Sequence, residues 1–137
     1  MTISIRNASK DDFEWLLKYD EHISGEVLLQ KISLSEVYVV ELDDVLVGWL
    51  RYNLFWDYIP FMNMICLLDE YQRKSYGSEL VLHWENEMRD KGFKRVLTST
   101  LSNEDAQHFY RKLGYREIGG FVLEDEPLEM MFYKSLK

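Results

Sequence analysis

Two segments of this chain carry residues whose types and spacing could do chemistry. The first is "DEYQRKSYGSEL", residues 69–80. Here Gln72, Arg73, Lys74, Ser75, Tyr76, Gly77 and Ser78 form a small, donor-rich and locally basic run, placed where an apolar strand pattern gives way to a helical one. Gly77 lets a backbone approach a ligand closely, and Ser75 keeps the turn small. Arg73 and Lys74 supply positive charge, and a helix N-terminus supplies free amides. A pyrophosphate fits such a site. A tight strand–helix turn with solvated cations explains the same residues equally well. The pattern is neither a P-loop nor a dinucleotide fingerprint, since both glycine spacings are absent.

The second segment is "NEDAQHFYRKLGY", residues 103–115. Asn103 reads as an N-cap, with Glu104 and Asp105 suited to the positive helix end. Ala106, Phe109, Tyr110 and Leu113 fall at i, i+3, i+4 and i+7, and Gly114 closes the helix. Tyr110 is either a packed core aromatic or a phenol whose polar tip needs a partner.

Both segments need a frame to position them. Residues 3–9 alternate as a strand; 10–23 and 25–33 read as helices, the first with Phe13, Leu16 and Leu17 on one face. Residues 36–56 form two β-rich runs around Asp43-Asp44, a hairpin signal. Residues 60–68 are an apolar strand. A helix carries Leu80, Val81, Trp84 and Met88 and stops at Lys91-Gly92. Residues 94–100 are a strand, and 115–123 and 128–136 are two more around the acidic loop "EDEP". The order is strand, two helices, three strands, helix, strand, helix, two strands. The expected fold is α/β: a mixed sheet flanked by helices, in one domain over 1–137.

Composition narrows the function. Of 137 residues, 47% are hydrophobic and 29% charged, and the net charge is −8. Residues 1–71 hold 13 acids and 5 bases, a net of −8; residues 72–137 hold 11 of each, a net of 0. Nucleic acid would meet a repulsive field. No run approaches the ~20 apolar residues of a membrane helix, and residues 1–15 hold no apolar leader. The single cysteine, Cys66, excludes a disulfide framework and points to a reducing, cytoplasmic setting. It lies in a strand pattern and reads as core.

Taken together, the two segments strongly resemble the GNAT superfamily of N-acetyltransferases, and the element order matches over essentially the whole chain. The first family signature, Gln/Arg-x-x-Gly-x-Gly/Ala, is occupied by Gln72-Arg73-Lys74-Ser75-Tyr76-Gly77. The second, an Asn-led helix ending in a Phe-Tyr-x-Lys-Leu-Gly-Phe-like run, is matched by Asn103 and by Phe109-Tyr110-Arg111-Lys112-Leu113-Gly114-Tyr115. The resemblance implies a central, mostly antiparallel twisted sheet of seven strands with four helices. It implies acetyl-CoA as co-substrate and a primary amine, small molecule or peptide, as acceptor. Backbone groups at Leu67 and Leu68 would pair with the pantetheine arm. Amides of Arg73 to Ser78 would cradle the pyrophosphate, and Asn103 would bind the arm. Tyr110 would protonate the departing sulfur. Arg111 and Lys112 would help hold the nucleotide, though a solvated helix end explains them equally well. The family also implies a homodimer as one assembly state.

Ser75 departs from the family, standing where its first glycine belongs; serine is strained there if φ must be positive. No general base is legible. Asn63 shares a face with Phe61, Ile65 and Leu67 and cannot act as one; Asp57 reads as a turn residue, and His22, His83 and His108 as surface. An acceptor site is expected on the acidic half, between the first two helices and Trp56, Tyr58 and Phe61, which suits a cationic amine. Two rival readings use the same fold. One is an acyl-CoA-binding module without turnover. The other is an interaction protein that binds no CoA, with Trp49 and Trp56 at an interface. Retention of both segments favours the enzyme.

Overall fold

The structure is a computed structural model and describes residues 2–137. Seven strands form one mixed sheet in the order β1-β2-β3-β4-β5-β7-β6: Ile3–Asn7, Val37–Leu42, Val45–Phe55, Ile59–Leu67, Arg95–Leu101, Arg116–Phe121 and Glu129–Ser135, numbered β1 to β7 along the chain. The helices are α1 (Phe13–Tyr19), α2 (Gly25–Ser33), α3 (Tyr76–Asp90) and α4 (Ala106–Lys112). The chain divides into two compact units. One runs from the N-terminus to Tyr52 and resumes over Met64–His83; the other comprises Asn53–Asn63 and Trp84–Lys137. No helix among the described residues is long and apolar enough to cross a membrane.

In the first unit, β1 and β3 each pair antiparallel with β2. Asp43 and Asp44 make the hairpin turn at φ 52° and 66°, the left-handed pair that a two-residue turn requires. Val37 and Val39 of β2 and Trp49 of β3 face Leu16 of α1 and Leu28 and Ile32 of α2, all buried. Burying a side chain of this size stabilises by about 1.5–3 kcal/mol. Ser24 caps α2, its hydroxyl accepting the Val27 N–H at 3.3 Å.

The first helix is shorter than its sequence suggests. A 3-10 turn over Lys10–Asp12 precedes α1, which stops at Tyr19. Asp20 ends it because its carboxylate is held elsewhere: Arg51 Nε donates to it at 2.7 Å and Trp49 Nε1 at 3.1 Å, all buried. Leu17, expected on the apolar face, is 39% exposed.

In the second unit, β4 pairs in parallel with β5 at Phe61↔Leu97 and Met62↔Thr98. β7 lies between β5 and β6, antiparallel to both, with a bulge at Glu117/Gly119. Glu85 of α3 is 1% exposed. Its two oxygens accept the Tyr115 hydroxyl and the Lys134 ammonium, each at 2.8 Å, so the buried charge is both paired and hydrogen-bonded.

Candidate cofactor loop and tyrosine site

The loop begins where β4 ends. Leu68 donates its N–H to Val47 at 2.9 Å and accepts the Tyr71 N–H at 2.8 Å, so both its backbone groups are engaged. A Cβ on Gly48 would lie 2.7 Å from the Cys66 carbonyl oxygen, so Cys66 faces β3 as Leu68 does. Because strand residues alternate, Leu67 turns its backbone to the opposite edge. Its carbonyl accepts Gln72 Nε2 at 2.9 Å. Of the two leucines expected to offer a strand edge, Leu68 has both backbone groups engaged, by Val47 and Tyr71, and the Leu67 carbonyl accepts the Gln72 side chain.

A 3-10 turn over Asp69–Tyr71 leads into Gln72. Arg73 and Ser75 then take left-handed backbone, φ 60° and 66°, and Arg73, Lys74 and Ser75 are exposed. Ser75 thus holds the conformation for which glycine is the easy residue. Its carbonyl accepts the Glu79 N–H at 3.1 Å, the first bond of α3. The amides of Tyr76, Gly77 and Ser78 therefore lie in the first turn, where α3 offers them no acceptor of its own. Left-handed backbone feeding a helix N-terminus is an arrangement that can hold an anion on backbone amides.

Beside this loop, within the same unit, is a cleft of about 490 Å³. Tyr19, Leu46, Trp49, Cys66 and Leu67 make its walls, and the exposed Asp69 and Glu70 stand on its rim. Burial pushes the Cys66 thiol up, with Asp20 and Asp69 adding to the shift, so it is a poor nucleophile at neutral pH.

The second unit holds the tyrosine. Tyr110 is 5% exposed, its ring 5.5 Å from Phe109, 5.8 Å from Tyr115 and 5.9 Å from Phe132. Burial pushes its hydroxyl above the ordinary phenol range; Thr98 opposes the shift, and Glu104 and Glu129 add to it. Tyr110 therefore keeps its proton at neutral pH. Asn103 is not the N-cap of α4. The helix begins at Ala106, after a turn in which Gln107 Nε2 donates to the Ser102 and Glu104 carbonyls at 2.9 and 3.0 Å. Asn103 stands exposed in that turn.

Of the other candidates, Asn63 donates to Asn53 Oδ1 at 3.1 Å, and Asp57 sits in a turn at φ 69°. His22 and His108 are exposed. His83 is not: it is half-buried, its ring edge-on to Tyr38 at 5.6 Å. The helices α1 and α2 belong to one unit and Trp56, Tyr58 and Phe61 to the other. Sequence reasoning missed the buried Asp20–Arg51 pair and the Glu85 cluster. Glu85 carried a signal: it falls four residues after Val81 and three before Met88, on the apolar stripe of α3.

Residues 3–115 match the family model described as acetyltransferase (GNAT) family. A comparison with curated protein sequences finds no match. Among solved structures, Ard1 from Thermoplasma volcanium aligns with a TM-score of 0.85 at 15% identity, covering 98% of each chain. The PaiA N-acetyltransferase from Thermoplasma acidophilum, in complex with coenzyme A, aligns with a TM-score of 0.76 at 21% identity over 98% of this chain and 99% of that one. Naa50 from Arabidopsis thaliana, in complex with the bisubstrate analogue CoA-Ac-MVNAL, gives 0.80 at 17% identity over 98% and 99%. At these identities the likeness is one of fold.

Proposed function

The chain belongs to the acetyltransferase (GNAT) family, and from that premise we propose that it is a single-domain, acetyl-CoA-dependent N-acetyltransferase acting on a primary amine. The observation that carries this reading is the loop: left-handed backbone at Arg73 and Ser75, leading straight into the first-turn amides of α3. The residues present fit a pyrophosphate-bearing group. The amides of Arg73 to Ser78 would donate to the phosphate oxygens, and Arg73 and Lys74, both exposed, would supply charge. The outward backbone edge of Leu67 would pair with an extended amide-bearing arm, steered by Gln72, which already holds the Leu67 carbonyl. Asn103 would donate to the same arm.

When bound, acetyl-CoA supplies the thioester that the amine attacks. The chain's own work is then proton management. Tyr110 holds a proton at its buried hydroxyl and would supply it to a departing thiolate; a thiol has a pKa near 8.5, so it would need modest help. The amine must shed a proton first, since a lysine-like ammonium has a pKa of ~10.4. Asp69 and Glu70 on the rim of the apolar cleft favour a cationic amine with an apolar body, in keeping with the acidic half of the chain.

The test is thermal stability with and without acetyl-CoA, with Gly77→Glu as control, followed by thiol release over a panel of cationic and neutral amines. Ligand at a hundredfold excess over Kd adds about 2.7 kcal/mol. Stabilisation lost in the variant, with thiol release on cationic amines, is the expected result. No stabilisation of the parent protein would sink the reading. Ser75 in the left-handed region favours one second reading, a binder without turnover, which predicts stabilisation but no thiol release on any amine.

A further inference from the structure

Beneath Tyr110 lies a second buried hydroxyl, that of Thr98 on β5, which is 1% exposed. In the β5–β7 register Thr98 stands opposite Phe132. Directly opposed residues of an antiparallel pair point to the same face of the sheet, and the Phe132 ring lies 5.9 Å from that of Tyr110. Thr98 therefore faces Tyr110 as Phe132 does, and its side chain hydrogen-bonds the phenol. All three residues belong to the second unit.

The ring of Tyr110 has little freedom. Phe109, Phe132 and Tyr115 surround it, and Tyr115 is itself tied to Glu85 through its hydroxyl at 2.8 Å. Burial opposes a phenolate at this position, and the charges of Glu104 and Glu129 oppose it further; Thr98 favours it. Yet the one proton Thr98 can give is engaged elsewhere. Its Oγ1 donates to the Met62 carbonyl of β4 at 3.0 Å. Met62 and Thr98 are the last pair of the β4–β5 register, so this bond sits where the parallel pairing ends. A hydroxyl that donates to Met62 keeps its lone pairs for the Tyr110 hydrogen. It also rotates about its C–O bond, so the same proton can turn from the carbonyl to a phenolate oxygen.

We propose that Thr98 is a positioning residue for Tyr110: it accepts the phenol hydrogen at rest, and it turns from Met62 to donate to the phenolate once that hydrogen has gone to the departing sulfur. The proposal rests on the acid role proposed above for Tyr110. The O–H bond of Tyr110 breaks as the S–H bond forms. Thr98 keeps its own proton throughout, and the proton shed by the acetylated nitrogen restores the phenol.

The test compares Thr98→Val, which keeps the branched shape and removes the hydroxyl, with Thr98→Ser, which restores the hydroxyl. The first measurement needs no acetyl-CoA. Fluorotyrosine at position 110, whose phenol ionises at lower pH, is titrated by fluorine NMR. Thr98→Val is expected to raise the titration midpoint by about one pH unit or more, and Thr98→Ser to leave it near that of the parent protein. The second measurement is steady-state kinetics. Thr98→Val should lower kcat at least about tenfold at unchanged KM for acetyl-CoA, and Thr98→Ser should recover most of the loss. Added to Tyr110→Phe, Thr98→Val should cost nothing further in kcat, because the two residues act as one. A titration that Thr98→Val leaves unmoved, or an equal loss of kcat in the Tyr110→Phe background, overturns the proposal and spares the acid role. Full kcat in Tyr110→Phe removes the acid role itself, and this proposal with it.

Discussion

Ser75 holds its backbone at φ +66° while its carbonyl accepts the Glu79 amide at 3.1 Å, so the first bond of α3 is made from a strained residue. Left-handed backbone costs an L-residue about 1–2 kcal/mol, of which glycine recovers part after its own entropic cost. Ser75→Gly is therefore expected to raise stability by up to about 1 kcal/mol and to tighten acetyl-CoA binding. Thermal denaturation and titration calorimetry check both. A lower melting temperature with weaker binding would show that the serine hydroxyl, not the backbone, is what the loop needs.

Gly48 has the reverse constraint. A Cβ there would stand 2.7 Å from both the Cys66 carbonyl oxygen and Leu67 Cδ1. Gly48→Ala must push the end of β4 away from β3, at a cost of about 1–3 kcal/mol. It should also weaken acetyl-CoA binding, because Leu67 moves. Denaturant titration measures the first effect and calorimetry the second.

The Asp20–Arg51 pair is buried on both sides. Asp20→Ala leaves the guanidinium uncompensated and should cost about 3–5 kcal/mol in urea unfolding. Replacing both, Asp20→Leu with Arg51→Met, should cost less than the single change. If the double variant were the weaker of the two, desolvation would not be the governing term.

Asp12 ties stability to pH. Two hydrogen bonds from Arg6, at 2.8 and 2.9 Å, hold its carboxyl below the ordinary range; burial opposes this, and the Ser9 N–H at 2.7 Å reinforces it. A depressed folded pKa adds stability that is fully present above the unfolded value, near 3.9, and is lost as pH falls through the folded one. Arg6 is 40% exposed, so the gain is about 1 kcal/mol. Asp12→Asn should lose it at neutral pH, and the gap to the parent protein should close in strong acid.

Tyr110→Phe should lower kcat by ~100-fold or more while leaving the KM for acetyl-CoA unchanged. Since burial raises the phenol, the Tyr110-dependent rate should hold up to and beyond the ordinary phenol pKa of about 10. Steady-state kinetics on the best amine of the panel, from neutral pH upward, tests both statements. A rise in KM with kcat unchanged would make Tyr110 a packing residue alone.

Much of the frame was legible because local rules govern it. Asp43-Asp44 marks its turn, and Gly92 and Gly114, at φ 93° and 94°, follow the ends of α3 and α4. Misreadings arose where side-chain partners decide. α1 stops at Tyr19 because Arg51, 31 residues away, takes Asp20. Asn103 resembles a cap, yet Gln107 spends its amide on the preceding carbonyls and the helix starts later. In the loop, Gln72 to Ser78 run from the end of a 3-10 turn into the first turn of α3. The engagement of Leu68 with Val47 depends on pairing across β3, which no local pattern reports.

Neither compact unit is continuous in sequence, and this bears on how the chain is made. All residues of the first unit have been synthesised once His83 is added. The second must wait for β7, which lies between β5 and β6 rather than at an edge. A chain stopped short of Glu129 would carry β6 with no partner strand and β5 with one edge unsatisfied. A chain truncated before β7 would therefore be an aggregation-prone species.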